Sequence, residues 1–322
     1  MRAIRVTSHG GPEALEVSEV EVPEPGPGQL LVDVAASGVN FIDTYQRSGV
    51  YSVPLPFTPG SEGAGEIVAV GPDVDGFAVG ERVAWAMTPG SYAEKALVPA
   101  RAAVKIPDGV DTRTAAAATL QGMTAHFLVT STHEIKTGET ALVHAAAGGM
   151  GLLLTQLIKS KGGNVIGTVS TDEKERLARE AGADEIIRYT EADVAAEVKD
   201  LTDGRGVDVV YDGVGKSTFE ASLASLRPRG TLALFGGASG QVPPFDPQRL
   251  NGAGSLFLTR PSLAHHVLTR EELEWRAGEV FGWISSGALH IRVSGTYSLE
   301  DAARAHEDLE GRRTTGKLLI LP

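Results

Sequence analysis

Residues 141–151 read ALVHAAAGGMG, an apolar run that leads into a glycine-rich turn. The run suits a strand, and the MGLLLTQLIKSKG that follows suits a helix. Glycine has no Cβ atom, so such a turn and the helix N-terminus can approach a pyrophosphate, whose charge the helix dipole favours. Ala146 stands where the usual G-x-G-x-x-G motif has its first glycine. The strand, turn and helix together still predict a dinucleotide site at Gly148, Gly149, Met150 and Gly151.

The second strand of this pattern, NVIGTVS at residues 164–170, indicates which dinucleotide is bound. NAD-dependent enzymes usually end this strand with an acidic residue about 20 positions beyond the glycines, where it holds the ribose 2′-hydroxyl. Here Ser170 stands at that place, and Lys174 follows one turn later. A hydroxyl and a cation suit the 2′-phosphate of NADPH, which a carboxylate would repel. The alternative is that Lys174 is only a solvated helix residue, since Asp172 and Glu173 lie beside it.

The pattern of the 322-residue chain changes near residue 120, which predicts two domains. Before that point, short runs such as GAGEIVAVG and ERVAWAM predict a β-rich domain. The alanine-rich AAAATLQGMTAHFLV, residues 115–129, predicts a helix. Beyond it strands and helices alternate as far as GTLALFGG, which predicts a doubly wound parallel sheet because parallel neighbours need crossover connections. On pattern alone the last ~55 residues fit either domain.

Composition limits the partners and the chemistry. The chain carries 29 Lys and Arg against 41 Asp and Glu, a formal charge of −12 that repels nucleic acid and anionic membranes. It has no cysteine, which excludes disulfides, thiolate nucleophiles and thiolate-bound zinc. The N-terminal MRAIRVTSHGGPEALEV lacks the apolar core of a secretory signal. We therefore expect a cytoplasmic protein without nucleic-acid or membrane partners.

The segment GVNFIDTYQRSGVY in the first domain is polar and loop-forming, and it contains Asn40, Tyr45, Arg47 and Tyr51. Its amide and phenol groups suit a site that donates hydrogen bonds to a substrate. Taken alone, however, the tyrosines fit a packing role within the β-rich domain better than a functional one.

Several segments follow one another in order along the whole chain: VNFIDTYQRSGVY, PGSEGAGEIVAVG, HAAAGGMG, VVYDGVG, LTRPSL and TTGK. With them the chain resembles the zinc-independent quinone oxidoreductases, including zeta-crystallin, of the medium-chain dehydrogenase/reductase superfamily. The resemblance implies an α/β protein with a GroES-like β-rich catalytic domain, residues 1–125 and 268–322, and a Rossmann NADPH-binding domain, residues 126–267. It places the active site in the cleft between the two domains.

The resemblance also implies that no metal is bound. Zinc alcohol dehydrogenases of this superfamily carry a ligand cysteine where Asn40 stands and a ligand histidine where Ser61 stands. An amide and a hydroxyl cannot rebuild a tight zinc site, and the four cysteines of the structural zinc lobe are missing too.

By matching motifs, the resemblance assigns residues to the two ends of the cofactor. Asn40 and Tyr45 would line the nicotinamide and the substrate, with Tyr51 as their neighbour, and these three are the candidate catalytic residues. The adenosine-phosphate side would be formed by Ser170, Lys174 and Tyr189. Further cofactor contacts would come from Phe235, Gly236, Ser239, Arg260 and Arg312.

The implied activity is transfer of reducing equivalents from NADPH to a quinone. An enone or 2-alkenal reductase shares the same fold and cofactor, and a non-catalytic, crystallin-like NADPH-binding protein is the alternative from another class. The family is usually dimeric or tetrameric through the edge of the nucleotide domain. The apolar SLFLT, Ser255 to Thr259, suits such an edge strand and also suits an internal one.

Overall fold

The computed structural model describes residues 1–322, which divide into two compact units. The first unit comprises Met1–Met123 and His266–Pro322, and the second comprises Thr124–His265. The boundaries expected from the sequence each lie two residues beyond these divisions. No helix combines the length and the apolar character that crossing a membrane requires.

The secondary structure consists of fifteen strands and nine α-helices, with a few short 3-10 turns and one π-helical turn. The strands are β1 (Arg2–Arg5), β2 (Glu16–Glu19), β3 (Gln29–Val39), β4 (Glu62–Val70), β5 (Arg82–Ala86), β6 (Lys95–Pro99), β7 (Ala103–Lys105), β8 (Thr140–Val143), β9 (Asn164–Val169), β10 (Glu185–Arg188), β11 (Val207–Asp212), β12 (Leu226–Leu234), β13 (Phe257–Thr259), β14 (Val293–Ser298) and β15 (Lys317–Leu321). The helices are α1 (Phe41–Arg47), α2 (Thr112–Phe127), α3 (Gly149–Ser160), α4 (Asp172–Glu180), α5 (Val194–Leu201), α6 (Phe219–Ser225), α7 (Gln248–Gly252), α8 (Arg270–Ser285) and α9 (Ala302–Glu310).

The first unit is built on a seven-stranded sheet. Its strands follow the order β14-β15-β3-β4-β5-β7, and β6 also pairs with β3. Apolar side chains alternate along these strands, and Leu30, Ile67 and Trp85 are fully buried on one face. The C-terminal β15 runs antiparallel to β3, with Leu318 opposite Val39. This pairing brings Lys317, the first residue of β15, to the end of β3.

The second unit is the doubly wound nucleotide-binding fold that the strand and helix pattern predicts. Its six strands are all parallel and follow the order β10-β9-β8-β11-β12-β13. Chain order reverses beside β8, which is the topological switch point where such sheets bind dinucleotides. β13 lies at one edge, so SLFLT is an edge strand and not an internal one, and Phe257 is 61% exposed there.

The segment from Asn40 to Arg47 differs from the expectation of a loop, because Phe41–Arg47 forms α1. Asn40 has extended backbone angles and precedes the first helical residue. The Asp43 carboxylate accepts a hydrogen bond from the Asn40 backbone N–H at 2.9 Å, which satisfies a donor at the helix start. Tertiary burial of Asp43 and Arg47 stabilises a helix that is too short to form alone.

Candidate functional site

Asn40 lies at the start of α1, and its side chain is fully engaged. Nδ2 donates to Glu62 Oε2 at 3.0 Å and to the Gly38 carbonyl at 3.2 Å. Oδ1 accepts from Lys317 Nζ at 2.7 Å and from Gln121 Nε2 at 3.4 Å. Both amide hydrogens therefore have partners inside the protein. The predicted donation by Asn40 to a substrate would require one of them to be released, and it stays a prediction.

Glu62 and Lys317 form a buried ion pair next to Asn40. Lys317 Nζ lies 2.5 Å from Glu62 Oε2, and both side chains are at most 1% exposed. Glu62 Oε1 also accepts the Leu120 backbone N–H at 2.6 Å. A Cβ atom on Gly38 would lie 2.1 Å from Glu62 Oε2 and 2.7 Å from Lys317 Cε, so only glycine leaves room for this pair. The pair is not among the residues predicted from the sequence, although a lysine at the start of the apolar strand KLLIL is a signal for it.

Asp43 is a buried carboxylate that accepts four hydrogen bonds. Oδ2 accepts from the Asn40 N–H at 2.9 Å and from the Tyr92 hydroxyl at 3.3 Å. Oδ1 accepts from the Ser61 N–H at 2.9 Å and from the Ser61 hydroxyl at 2.7 Å. Burial raises the pKa of Asp43 to about 6, opposed by the hydrogen bonds from Ser61 and Asn40. The two positions at which zinc enzymes carry ligands are thus both tied to one carboxylate.

A chain of buried polar groups continues from Asp43 through Tyr92 and His306 to Arg47. Arg47 Nη1 lies 3.0 Å from His306 Nδ1, and since a guanidinium can only donate, Nδ1 accepts. His306 Nε2 then carries the hydrogen and donates to the Tyr92 oxygen at 3.1 Å. Burial, together with the Arg47 charge, lowers the pKa of His306 to about 3. Arg47 also pairs with Glu310 at 2.9 Å.

The structure brings the two predicted tyrosines together. The Tyr45 and Tyr51 rings pack edge to face, with centroids 5.3 Å apart and planes at 68°. The Tyr51 N–H also donates to the Tyr45 carbonyl at 3.0 Å. Tyr45 is half-buried, whereas Tyr51 is 38% exposed. Tyr45 lies on α1, one helical turn beyond Phe41, whose ring centroid is 6.2 Å away.

In the second unit the glycine-rich turn has the geometry that the sequence predicts. Gly148 precedes α3, which starts at Gly149 with Met150 in its first turn. A Cβ atom on Gly151 would lie 2.3 Å from the Ala145 carbonyl oxygen, so this glycine permits the first turn of α3 to pack closely against the preceding turn. Ala145 adopts a φ of +51°, a left-handed conformation that is uncommon outside glycine. The N-terminus of α3 has no side-chain cap, which leaves its first N–H groups for an anion.

The predicted adenosine-phosphate residues lie at neighbouring strand ends of the second unit. Ser170 follows β9 and Tyr189 follows β10, and the Tyr189 N–H donates to the Val169 carbonyl at 3.2 Å. Lys174 lies in the first turn of α4, where its backbone N–H donates to the Thr171 hydroxyl. Arg188, the last residue of β10, is another cation of this region and was not among the predicted residues. It forms ion pairs with Asp172 and Glu175.

The Asp212 side chain joins the turn that follows β11 to α6. Its Oδ1 accepts from the Val214 and Gly215 N–H groups at 2.8 and 2.9 Å. Its Oδ2 accepts from the hydroxyls of Thr218 and Ser222, each at 2.7 Å. Asp212 thereby fixes the turn that follows β11.

His144 links Asp212 to the strand before the glycine-rich turn. Because the Ser222 hydroxyl donates to Asp212, Ser222 Oγ accepts from His144 Nε2 at 3.0 Å. His144 Nδ1 then accepts from the Thr168 hydroxyl at 3.1 Å, and the same oxygen accepts the Ala145 N–H at 3.2 Å. Burial lowers the pKa of His144, and the Asp212 charge opposes this shift.

Three further predicted cofactor residues lie near this turn. The Phe235 N–H donates to the Asp212 carbonyl at 2.9 Å. A Cβ atom on Gly236 would lie 2.4 Å from the Gly213 carbonyl oxygen. The Ser239 hydroxyl donates to the Val214 carbonyl at 2.7 Å and accepts the Ser217 N–H, so its role here is to brace the loop.

The two predicted arginines belong to different units. Arg260 follows β13 in the second unit, and Arg312 follows α9 in the first; both are exposed. Arg312 has a φ of +55°. Their contacts with a cofactor stay predictions.

A separate groove of about 860 Å³ lies in the first unit, lined by residues that include Phe77, Lys105, Arg270 and Phe281. It contains none of the predicted site residues. No group of three or more His, Asp or Glu side chains is arranged to hold a metal ion.

These features define a class of protein: a dehydrogenase or reductase with two units, one β-rich and one a dinucleotide-binding Rossmann fold. Residues 26–108 match the alcohol dehydrogenase GroES-like domain family, and residues 149–278 match the family described as zinc-binding dehydrogenase. A quinone oxidoreductase of Pseudomonas aeruginosa is 48% identical over 100% of this chain and 99% of its own length. A 2-haloacrylate reductase of a Burkholderia species is 43% identical over 97% of this chain and 96% of its own.

Among solved structures, the Escherichia coli quinone oxidoreductase in complex with NADPH superposes with a TM-score of 0.98. It is 42% identical and covers 100% of both chains. The chain belongs to the quinone oxidoreductase family of the medium-chain dehydrogenase/reductase superfamily.

Proposed function

We propose that this protein is an NADPH-dependent quinone oxidoreductase that works without a metal. The observation that carries the proposal is its similarity, over the whole chain, to quinone oxidoreductases. The overall reaction adds a hydride and a proton to a quinone and yields a hydroquinone. Because quinones accept a hydride readily, the protein mainly has to align the reactants and exclude water.

The second unit fits the cofactor. The uncapped start of α3 suits a pyrophosphate, and Gly151 lets this helix start pack closely against the turn before it. The end of β9 presents Ser170 and the first turn of α4, with no carboxylate at the position that would hold a 2′-hydroxyl. Bound NADPH supplies the hydride. We assign Gly148, Gly149, Met150 and Gly151 to its pyrophosphate, and Ser170, Lys174 and Tyr189 to its 2′-phosphate and adenosine.

The first unit supplies the groups that stabilise the reacting oxygen. We assign the donor role to the Tyr45 hydroxyl, with Tyr51 packed against its ring. A hydrogen-bond donor that points at a developing oxyanion typically stabilises the transition state by a few kcal/mol. Asn40 holds the start of α1, since its amide hydrogens are committed to Glu62 and Gly38.

A second candidate activity is reduction of a carbon–carbon double bond conjugated with a carbonyl or carboxyl group. It is favoured by the similarity to a 2-haloacrylate reductase. The same hydroxyl of Tyr45 would then stabilise an enolate. The third alternative is a non-catalytic protein that binds NADPH. The activity test would favour it if no acceptor reacts.

The activity test is steady-state oxidation of NADPH against benzoquinones, naphthoquinones, enals and haloacrylates. We expect quinones to be the fastest acceptors. Tyr45→Phe loses only the hydroxyl, so we expect an intact fold and a kcat lower by about tenfold for quinones and up to about a thousandfold for enals, whose charge is more localised. Tyr297→Phe, which removes a hydroxyl elsewhere in the first unit, is the matched control. Wild-type protein that oxidises NADPH with none of these acceptors would overturn the proposal.

The cofactor test compares dissociation constants for NADPH and NADH. We expect NADPH to bind more tightly, and Lys174→Ala to weaken NADPH by about 1.5 kcal/mol, roughly tenfold, while leaving NADH unchanged. Lys136→Ala, at an exposed ion pair, should alter neither constant. Equal affinity of the wild type for both cofactors would contradict the assignment of Ser170 and Lys174.

We also propose that the protein is a homodimer formed through β13. An edge strand presents unpaired N–H and C=O groups, and here it also presents the exposed ring of Phe257. Pairing with the same strand of a second copy would cover both.

A further inference from the structure

No function is assigned above to the buried Lys317, although its side chain contacts Asn40, one of the predicted site residues. Its Nζ donates to Asn40 Oδ1 at 2.7 Å and to Glu62 Oε2 at 2.5 Å. Asn40 immediately precedes α1, and α1 carries Tyr45. The C-terminal strand is thus linked through one ammonium group and Asn40 to the helix that carries the proposed hydrogen-bond donor, Tyr45.

A contribution to stability does not by itself explain the buried ion pair of Glu62 and Lys317. Taking a carboxylate and an ammonium out of water costs more than their attraction returns in many proteins, and well-packed apolar residues of similar volume often stabilise as much. The chain nevertheless keeps Gly38 bare, because a Cβ atom there would meet both Glu62 and Lys317. Such a cluster holds its members in one geometry, which is what a reaction site requires of its supporting residues.

The hydrogen-bond pattern also shows what Lys317 fixes. The Asn40 amide can be turned in two ways, which exchange its oxygen and its nitrogen. Lys317 and Gln121 both donate to the oxygen, while Glu62 and Gly38 both accept from the nitrogen. A cation on one side and a carboxylate on the other therefore permit only one orientation. These contacts tie the side chain of Asn40, the residue just before α1, to β3, β4 and β15.

We infer that Lys317 is a positioning residue for the reduction reaction: by holding the Asn40 side chain against Glu62 it sets the placement of α1 and of the Tyr45 hydroxyl. The inference rests on the proposed function. It predicts that the charge of Lys317 matters for the chemical step beyond its effect on folding.

The experiment separates the effect of Lys317 on folding from its effect on the chemical step. It uses a double variant in which both members of the ion pair are replaced by neutral residues, called the charge-neutral pair below. Lys317→Met leaves the Glu62 carboxylate buried without a counterion, so we expect a large fall in Tm. The double variant Glu62→Gln/Lys317→Met removes that carboxylate, and we expect its Tm to return close to the wild-type value. Its kcat with quinones should remain about 10- to 100-fold lower, because small misplacements of reacting groups have effects of this size. The KM for NADPH should change little.

A double-mutant cycle tests the route through α1. If Lys317 acts by placing Tyr45, adding Tyr45→Phe to the charge-neutral pair should lower kcat by clearly less than the product of the separate effects. Asp33→Asn/Lys95→Met, a neutralised pair on the surface of the same unit, should keep kcat within twofold of the wild type.

The possible failures are distinguishable. If the wild type reduces no quinone, the proposed function fails and this inference fails with it. If the wild type is active and the charge-neutral pair recovers both Tm and kcat, Lys317 has only a structural role and the inference alone is overturned. Full multiplicativity with Tyr45→Phe would show that the route through α1 is wrong.

Discussion

Each of the two units contains a buried aspartate that accepts hydrogen bonds from the surrounding backbone and hydroxyl groups. Asp43 in the first unit and Asp212 in the second each accept two backbone N–H groups and two hydroxyls. Each contacts a residue predicted from the sequence to belong to the site, Asn40 for Asp43 and Phe235 for Asp212. Each is also the end of a chain of hydrogen bonds that passes through a buried histidine.

The two chains differ in the group at which they begin. In the first unit it is Arg47, which can only donate, so the direction of every hydrogen bond as far as Asp43 is fixed. In the second unit it is the Thr168 hydroxyl, which can donate or accept. If the Ser222 hydroxyl donated to His144 instead of to Asp212, His144 could change tautomer and donate to the Thr168 hydroxyl. All the hydrogen bonds of the second chain can therefore reverse direction, whereas those of the first cannot.

The carboxylates also differ in how they share the backbone donors. Asp43 receives one N–H on each oxygen, from Asn40 on Oδ2 and from Ser61 on Oδ1. Asp212 receives both N–H groups on Oδ1, which leaves only hydroxyls on Oδ2. Two carboxylates with equal numbers of hydrogen bonds can therefore differ in how well they tolerate replacement by an amide, because backbone N–H donors cannot rotate and hydroxyls can.

The sharpest test replaces each carboxylate by an amide of the same shape. In Asp43→Asn the new NH2 group faces a backbone N–H whichever way it turns, so we expect a loss of about 3 kcal/mol. In Asp212→Asn the oxygen can keep both N–H groups and the NH2 group can face the hydroxyls, so we expect about 1 kcal/mol or less. Hydrogen exchange read peptide by peptide measures each unit separately, as two units need not unfold together.

A companion variant probes the reversal of the second chain. Thr168→Val removes the group that would accept from His144 in the reversed arrangement. Combined with Asp212→Asn it should destabilise the second unit by more than the sum of the single effects. Equal losses for Asp43→Asn and Asp212→Asn, or simple additivity with Thr168→Val, would show that the comparison is wrong.

Much of the fold was readable from the sequence, because its signals are local. The glycine turn before α3 and the alternation that follows it predict a parallel sheet, and the family comparisons confirm the fold class. The absence of an acidic residue at Ser170 likewise needs only the position of β9. In each case the decisive residues lie within about 20 positions of one another.

The polar clusters of the first unit could not be read in this way. Lys317 and Asn40 are 277 positions apart, and their contact depends on the register of β15 against β3. Arg47 was visible in a polar segment, yet its burial against His306 depends on where α9 packs. No local pattern encodes such long-range pairing, since side-chain alternation fixes which face a residue takes but not what it meets there.

The smallest expected effect is the difference in pH dependence between the two histidines. Burial lowers the pKa of both, but the second influence has opposite sign: the Arg47 charge lowers the pKa of His306 further, whereas the Asp212 charge raises that of His144. A histidine whose pKa is lower in the folded state contributes stability above its unfolded pKa of about 6.5, and this contribution is lost as the pH falls.

His306→Gln should therefore cost the first unit about 1 kcal/mol less at pH 5.5 than at pH 7.5, because at pH 5.5 the wild type has already lost that much of the histidine's contribution. The raised pKa of Asp43 gives the opposite slope, stabilising the fold in acid and losing that effect as the pH rises through about 6, but it acts in wild type and variant alike and cancels in the difference. His144→Gln should show the same direction with a smaller change, since Asp212 favours the protonated ring. Hydrogen exchange at the two pH values, in peptides from β8 and from α9, gives both differences. A larger pH effect for His144 than for His306 would mean that the charges at the ends of the chains do not act on the histidines as their geometry implies.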